Sequence, residues 1–132
     1  MKALKIEPGK APERINVANE LASLQSLVGG YIEVIYPDER RPVGLICNEE
    51  GKVNGLTPNR AVYEENSREM LDIICGKFFV AYAPFEAERF QSLPPDLAEE
   101  YREKFKYPER FMRVNNEIVA VPFKPVRADK ER

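Results

Sequence analysis

The side chains best equipped for recognition chemistry lie between Asn48 and Arg60. That stretch holds Asn48, Asn54, Thr57, Asn59 and Arg60, punctuated by Gly51, Gly55 and Pro58. An amide both donates and accepts hydrogen bonds, and a guanidinium offers a planar fork of donors. Together they could grip a nucleotide-like ligand or the backbone of a partner protein. Asp72 sits at the polar end of a separate apolar run and could orient Arg60 through a charge-assisted bond. The candidate binding set is therefore Asn48, Asn54, Asn59, Arg60 and Asp72. The same residues also fit an account without a ligand. Asparagine and glycine cap their own turns, and an Arg60–Asp72 pair would simply tie a long loop down.

Catalysis finds little to work with. The chain has no histidine, so serine–histidine and cysteine–histidine nucleophiles are excluded. Cys47 and Cys75 lie inside the apolar runs 43–47 and 73–75 and read as buried free thiols. Two cysteines without histidine cannot supply the usual four zinc ligands, so no metal is expected. The pairs Glu49-Glu50, Glu64-Glu65 and Glu99-Glu100 are adjacent. Such neighbours on a turn or an exposed helix face water rather than converge on a glycosidic bond. No glycine-rich phosphate loop is present. The expectation is a non-enzymatic protein without a cofactor.

Charge narrows the partners. Twenty basic and 22 acidic residues are interspersed, for a net charge of −2, which is not a nucleic-acid footprint. The segment from Gly76 to Tyr82 loosely follows the aromatic strand of an RNA-recognition motif. Its Phe78 and Phe79 are adjacent, however, and must point to opposite faces of a strand. A host protein or a small ligand is expected as partner, with neither nucleic acid nor membrane. No apolar run approaches the roughly 20 residues that span a bilayer, and the start of the chain lacks an apolar leader core. The expected location is the cytoplasm, where disulfides are disfavoured.

The elements that must position these residues follow from periodicity. Leu4 and Ile6, then Ile15 and Val17, alternate with polar residues and predict two strands joined as a hairpin. Asn19 is suited to capping a helix that carries Leu21, Leu24, Leu27 and Val28 and stops at Gly29-Gly30. Strands are expected over 31–36 and 43–47, with a return at 52–54 after a turn placing Gly51 in the left-handed region. Residues 55–70 read as irregular, with one helical turn near 59–63. Strands at 73–75 and 78–82 flank Gly76, which marks a bulge or a close backbone approach. A short helix is expected over 86–91. A longer one begins at Pro95 and stacks Leu97, Tyr101 and Phe105 on one face. Residues 110–114 and 117–121 flank Asn115-Asn116 as a tight hairpin.

Hairpins dominate this order, so the fold class is α+β, a mainly antiparallel sheet with two to three helices. Its N-terminal part invites comparison with the β-grasp topology. A single domain is expected over 1–123, followed by a frayed charged tail over 124–132. The expected core is Leu4, Ile6, Leu24, Leu27, Ile32, Val34, Leu45, Ile46, Ile74, Phe79 and Val119.

Several segments carry a likeness. They are the opening 1–13, Leu27-Val-Gly-Gly-Tyr-Ile-Glu33, Cys47-Asn-Glu-Glu-Gly-Lys52, Asn54-Gly-Leu56 with Asn59-Arg-Ala61, and Asp72-Ile-Ile-Cys-Gly76. Together they resemble a domain-of-unknown-function family of small proteins found on phages and conjugative elements of Gram-positive (Firmicutes) gut bacteria. The resemblance spans about Met1 to Val121. It implies a mobile-element context and brings no catalytic residues with it. Cys75 stands where that family suggests a small residue such as alanine. The expectation that follows is an accessory binding protein acting on a host factor or defence system, or else a binder of a small nucleotide-like ligand.

Overall fold

Elements follow wherever a local signal and a place to bury an apolar face coincide. The structure, a computed structural model, describes residues 1–125. From Val126 onward the expected tail lies outside the described residues. The strands are β1 (Lys2–Ile6), β2 (Glu13–Asn16), β3 (Ile32–Ile35), β4 (Val43–Asn48), β5 (Pro58–Tyr63), β6 (Met70–Cys75), β7 (Phe78–Tyr82), β8 (Glu109–Val114) and β9 (Glu117–Pro122). The helices are α1 (Leu21–Val28) and α2 (Pro95–Lys104). The fold is α+β and mainly antiparallel, as the sequence predicts.

One five-stranded sheet has the order β2-β1-β7-β4-β3, and every pairing in it is antiparallel. Two ribbons, β5–β6 and β8–β9, pair only within themselves among the described residues. Side chains alternate across a strand, and β1, β4 and β7 therefore supply two cores. Leu4, Ile6, Val43, Leu45, Phe78 and Val80 share one, completed by Val62 and Ile74 from β5–β6, by Ala98 and Tyr101 from α2 and by Phe105 just after it. Ala3, Ile46, Phe79 and Ala81 share the other, against Leu24 and Val28 of α1. The sheet is thus covered on both sides. Phe78 and Phe79 are wholly buried, one in each core, so neither is available to stack a base.

The helix ends show how local chemistry sets boundaries. Gly29 takes the left-handed conformation (φ 84°) and donates its N–H to the Gln25 carbonyl, which terminates α1. Pro95 opens α2 as predicted. Asn19 does not cap α1: Glu20 holds that position without a side-chain bond, and Asn19 Nδ2 donates to the Phe90 carbonyl instead. Asn115 and Asn116, with φ of 50° and 66°, form the two-residue tip of β8–β9, because asparagine tolerates the left-handed region that this hairpin turn requires.

Several local expectations need correction. The polar stretch over 55–70 contains β5 and the start of β6, and no helical turn forms near 59–63. Residues 52–54 belong to a turn, and residues 86–91 are not helical. Gly51 is not left-handed; that role falls to Gly55 (φ 71°). Gly51 is required for a different reason: a Cβ there would sit 2.6 Å from the Cys75 carbonyl oxygen. Seven of the eleven expected core residues are buried, while Leu27, Ile32 and Val34 are half-buried. Val119 is exposed on β9, because its ribbon extends beyond both cores.

Candidate functional site

Asn48 ends β4, where the covered sheet hands over to a turn. Its Nδ2 donates to the Val28 carbonyl (3.2 Å) and its Oδ1 accepts the Glu50 N–H (2.7 Å). The side chain thereby satisfies one open carbonyl at the end of α1 and fixes the turn after β4. Asn54 is exposed on that turn, and its backbone N–H closes onto Glu50. Asp72, on β6, accepts the Ile73 N–H and pairs with Lys52.

Asn59 and Arg60 lie elsewhere and are fully buried. Asn59 Nδ2 donates to the carbonyls of Ile6 (3.0 Å) and Gly76 (2.9 Å). Its Oδ1 accepts Arg60 Nη1 at 2.8 Å. The Arg60 guanidinium donates onward to the carbonyls of Phe105 (3.0 Å), Lys10 (2.7 Å) and Glu7 (3.4 Å). It pairs with no carboxylate among the described residues. Burial pulls its pKa down to about 10, although the nearby Glu109 charge opposes this. The expected Arg60–Asp72 bond does not form: Asp72 takes Lys52, and Arg60 is solvated by backbone.

The set therefore divides. Asn48 and Asp72 line one small cavity of about 220 Å³, together with Lys52 and both cysteines. Burial pushes the Cys47 thiol up to about 12 and raises Cys75 as well. Such thiols hold their protons and are poor nucleophiles. Among the described residues no cluster of cysteine and carboxylate groups has a metal-holding arrangement.

A larger half-open cavity, of about 520 Å³, lies between β5, the turn after it, the end of α2 and the start of β8. Ala61, Val62, Tyr63 and Phe105 give it apolar walls, and Glu65, Arg68, Lys104 and Glu109 bring charge to it. Glu64 holds the turn by accepting the N–H groups of Asn66 and Ser67 at 3.0 and 2.6 Å. These bonds draw its pKa down, the Ser67 N–H first among them. Arg68 completes the turn in the left-handed region (φ 65°). Glu65 is held by Tyr101, Lys104 and Arg41, and Arg41 in turn grips both oxygens of Glu100. Glu109 differs from these. Its Oε1 accepts the Ala61 N–H (2.8 Å), and Oε2 has no partner among the described residues. Burial raises its pKa against the opposing pull of that bond and of Arg60.

Glu109, Arg68 and Tyr63 were not in the expected set. Glu109 follows a proline at the foot of a hairpin, and only the packing of α2 against β5 makes its position special. Glu65 was expected to face water beside Glu64. It turns inward because Tyr101 and two cations meet it there.

With this geometry established, comparison with known proteins adds a family. The profile described as Domain of unknown function (DUF3846) matches residues 1–106, and the chain belongs to that family. The match includes both helices but stops short of Glu109 and of β8–β9. No curated protein and no solved structure matches the chain.

Proposed function

We propose that this member of the family is a non-enzymatic accessory protein of a phage or conjugative element of Gram-positive (Firmicutes) gut bacteria, working in the host cytoplasm by binding a host protein. The observation that supports it most is the larger cavity with Glu109 at its wall. One carboxylate oxygen is spent on Ala61 and the other has no partner among the described residues. A half-buried acceptor beside apolar walls suits an inserted side chain that carries a donor at its tip. Asn59 and Arg60 frame this region, since Arg60 fixes Phe105, which lines it. Asn48, Asn54 and Asp72 enter the reading as a second contact around the smaller cavity. In this proposal residues 1–123 act as one domain, and the β-grasp comparison is carried as the strand order of the N-terminal part alone.

A small nucleotide-like ligand is the second reading. The larger cavity falls within the range of about 300–1,000 Å³ typical of ligand sites. Tyr63 and Phe105 are its aromatic lining residues, and Arg68 brings a cation.

Affinity capture from a Gram-positive host lysate separates the two readings when the protein and small-molecule fractions are both analysed by mass spectrometry. Wild type, Glu109→Gln and Tyr63→Ala are compared. A host protein retained by wild type and lost with both variants supports the first reading. A small molecule with that pattern supports the second. Retention indifferent to both substitutions would remove the cavity from the proposal.

A further inference from the structure

We infer that the β8–β9 ribbon is a self-association arm, with a second copy of this chain as its occupant. The register places Arg110 opposite Val121, Met112 opposite Val119 and Val114 opposite Glu117. Directly opposed residues share a face. One face therefore runs from Arg110 at the base, through Met112, Val114, Val119 and Val121, to Glu117 at the tip. Those four apolar side chains are between 39% and 51% exposed. On the opposite face Phe111 and Ala120 are half-buried and only Ile118, beside Arg113 near the tip, is exposed, at 46%, so the longer continuous open apolar row is on the first face. A two-stranded ribbon is marginal on its own in water, and an apolar face of this kind marks an interaction surface.

The order of charges selects the occupant. A two-fold interface needs a patch complementary to itself, in which residue i meets j while j meets i. This face has a cation at one end, an anion at the other and an apolar centre. Arg110 and Glu117 are separated by four register steps, or roughly 13–14 Å along the ribbon at about 3.4 Å per residue. When a second ribbon is turned end for end and laid face to face, Met112 and Val119 lie at the axis. Arg110 of each copy then reaches toward Glu117 of the partner copy, twice. Neither residue makes an ion pair within its own chain among the described residues. The Arg110 guanidinium lies 4.7 Å from the centre of the Phe123 ring, which steadies it at the base of the ribbon. The face is small beside the 1,200 Å² or more that stable interfaces bury in total, so the dimer is weak and concentration-dependent. None of this depends on the cavity or on what fills it.

Sedimentation velocity on the full chain, from low micromolar to several hundred micromolar, tests the inference. Wild type moves from monomer toward dimer across that range, and more weakly at high salt. Met112→Lys with Val119→Lys stays monomeric throughout, with an unchanged circular dichroism spectrum. Arg110→Glu and Glu117→Arg each weaken the dimer by about tenfold or more. The two reversals combined in one chain restore it, and a misfolded variant could not do so. A wild-type chain that stays monomeric at the highest concentration overturns the inference. So does a dimer that survives the double lysine variant, or a combined reversal that rescues nothing.

Discussion

Two regions of this molecule break the usual pattern of apolar inside and polar outside, in opposite directions. At Asn59-Arg60 a polar pair is fully buried and every strong donor has a carbonyl to meet. On β8–β9 a row of apolar residues is exposed with nothing among the described residues to cover it. The first violation is internal wiring. Arg60 joins the loop after β1, the strand β5 and the end of α2 through a single guanidinium. Buried polar groups are tolerated when they are satisfied, and this pair is. The second violation has no compensation among the described residues, and that is the ground for inferring a second copy there.

The sharpest way to test the comparison is to break the wiring. Arg60→Ala removes the donors for the Phe105, Lys10 and Glu7 carbonyls and leaves a void between three segments. Such a change should destabilise the fold by roughly 3–5 kcal/mol, read from urea unfolding midpoints at constant slope. Arg60→Lys should recover only part of this, because an ammonium cannot span the same carbonyls as a planar fork. A variant that unfolds within error of wild type would mean that Arg60 is a passenger.

The next effect belongs to its neighbour. Asn59→Ala leaves the Ile6 and Gly76 carbonyls without their amide donor and Arg60 without one acceptor. A loss of roughly 1–3 kcal/mol is expected. The double variant with Arg60→Ala should lose less than the sum of the two, since the pair is one network. Strict additivity would show two independent anchors instead.

These two residues also mark where the sequence stopped being legible. Strands β1, β3, β4 and β7 could be read because Leu4 and Ile6, Ile32 and Val34, and the runs around Leu45 and Phe79 carry their burial in their own side chains. β5 could not, because Pro58-Asn59-Arg60 looks like a loop to any reading that equates polar with exposed. Val119 failed by the converse rule: alternation predicts that a strand has an apolar face, not that anything covers it. For the candidate site, Asn48 does end a strand, whereas Asp72, expected at a strand end, lies inside β6, and the two line one cavity. The Arg60–Asp72 pairing was not, since Lys52 is nearer to Asp72 in the folded chain. Glu109 was invisible, because its environment is made by contacts between segments about 48 residues apart.

The cavity gives a smaller effect whose sign can be worked out from Glu109. Burial raises the folded-state pKa of this carboxyl above its unfolded value. A raised acid favours the folded state at low pH, and ionising it in place costs stability as pH climbs through the folded pKa. Glutamine keeps an oxygen for the Ala61 N–H and removes that charge. Glu109→Gln should therefore raise the melting temperature at pH 7.5, with the gain shrinking toward zero near pH 4. A gain that grew on acidification would place the Glu109 carboxylate in a stabilising ion pair and would also count against its role as an unspent acceptor.

The smallest effect is expected at the ribbon tip, and it separates the two regions by their dynamics. Asn115 and Asn116 both sit at positive φ, a conformation that costs most residues about 1–2 kcal/mol and glycine essentially nothing. Asn116→Gly should thus tighten the hairpin turn by a few tenths of a kcal/mol at most. The effect should stay local, because β8 and β9 pair only with each other among the described residues. In hydrogen exchange on dilute protein, ribbon amides should exchange far faster than those of β4 and β7, which lie between covered faces. Asn116→Gly should slow the ribbon amides while leaving β4, β7 and the global melting temperature unmoved. If instead the ribbon exchanges as slowly as β4 in dilute monomer, its ladder is part of the cooperative core. The exposed face would then need no partner to keep it folded, and the contrast between the two regions would rest on composition alone.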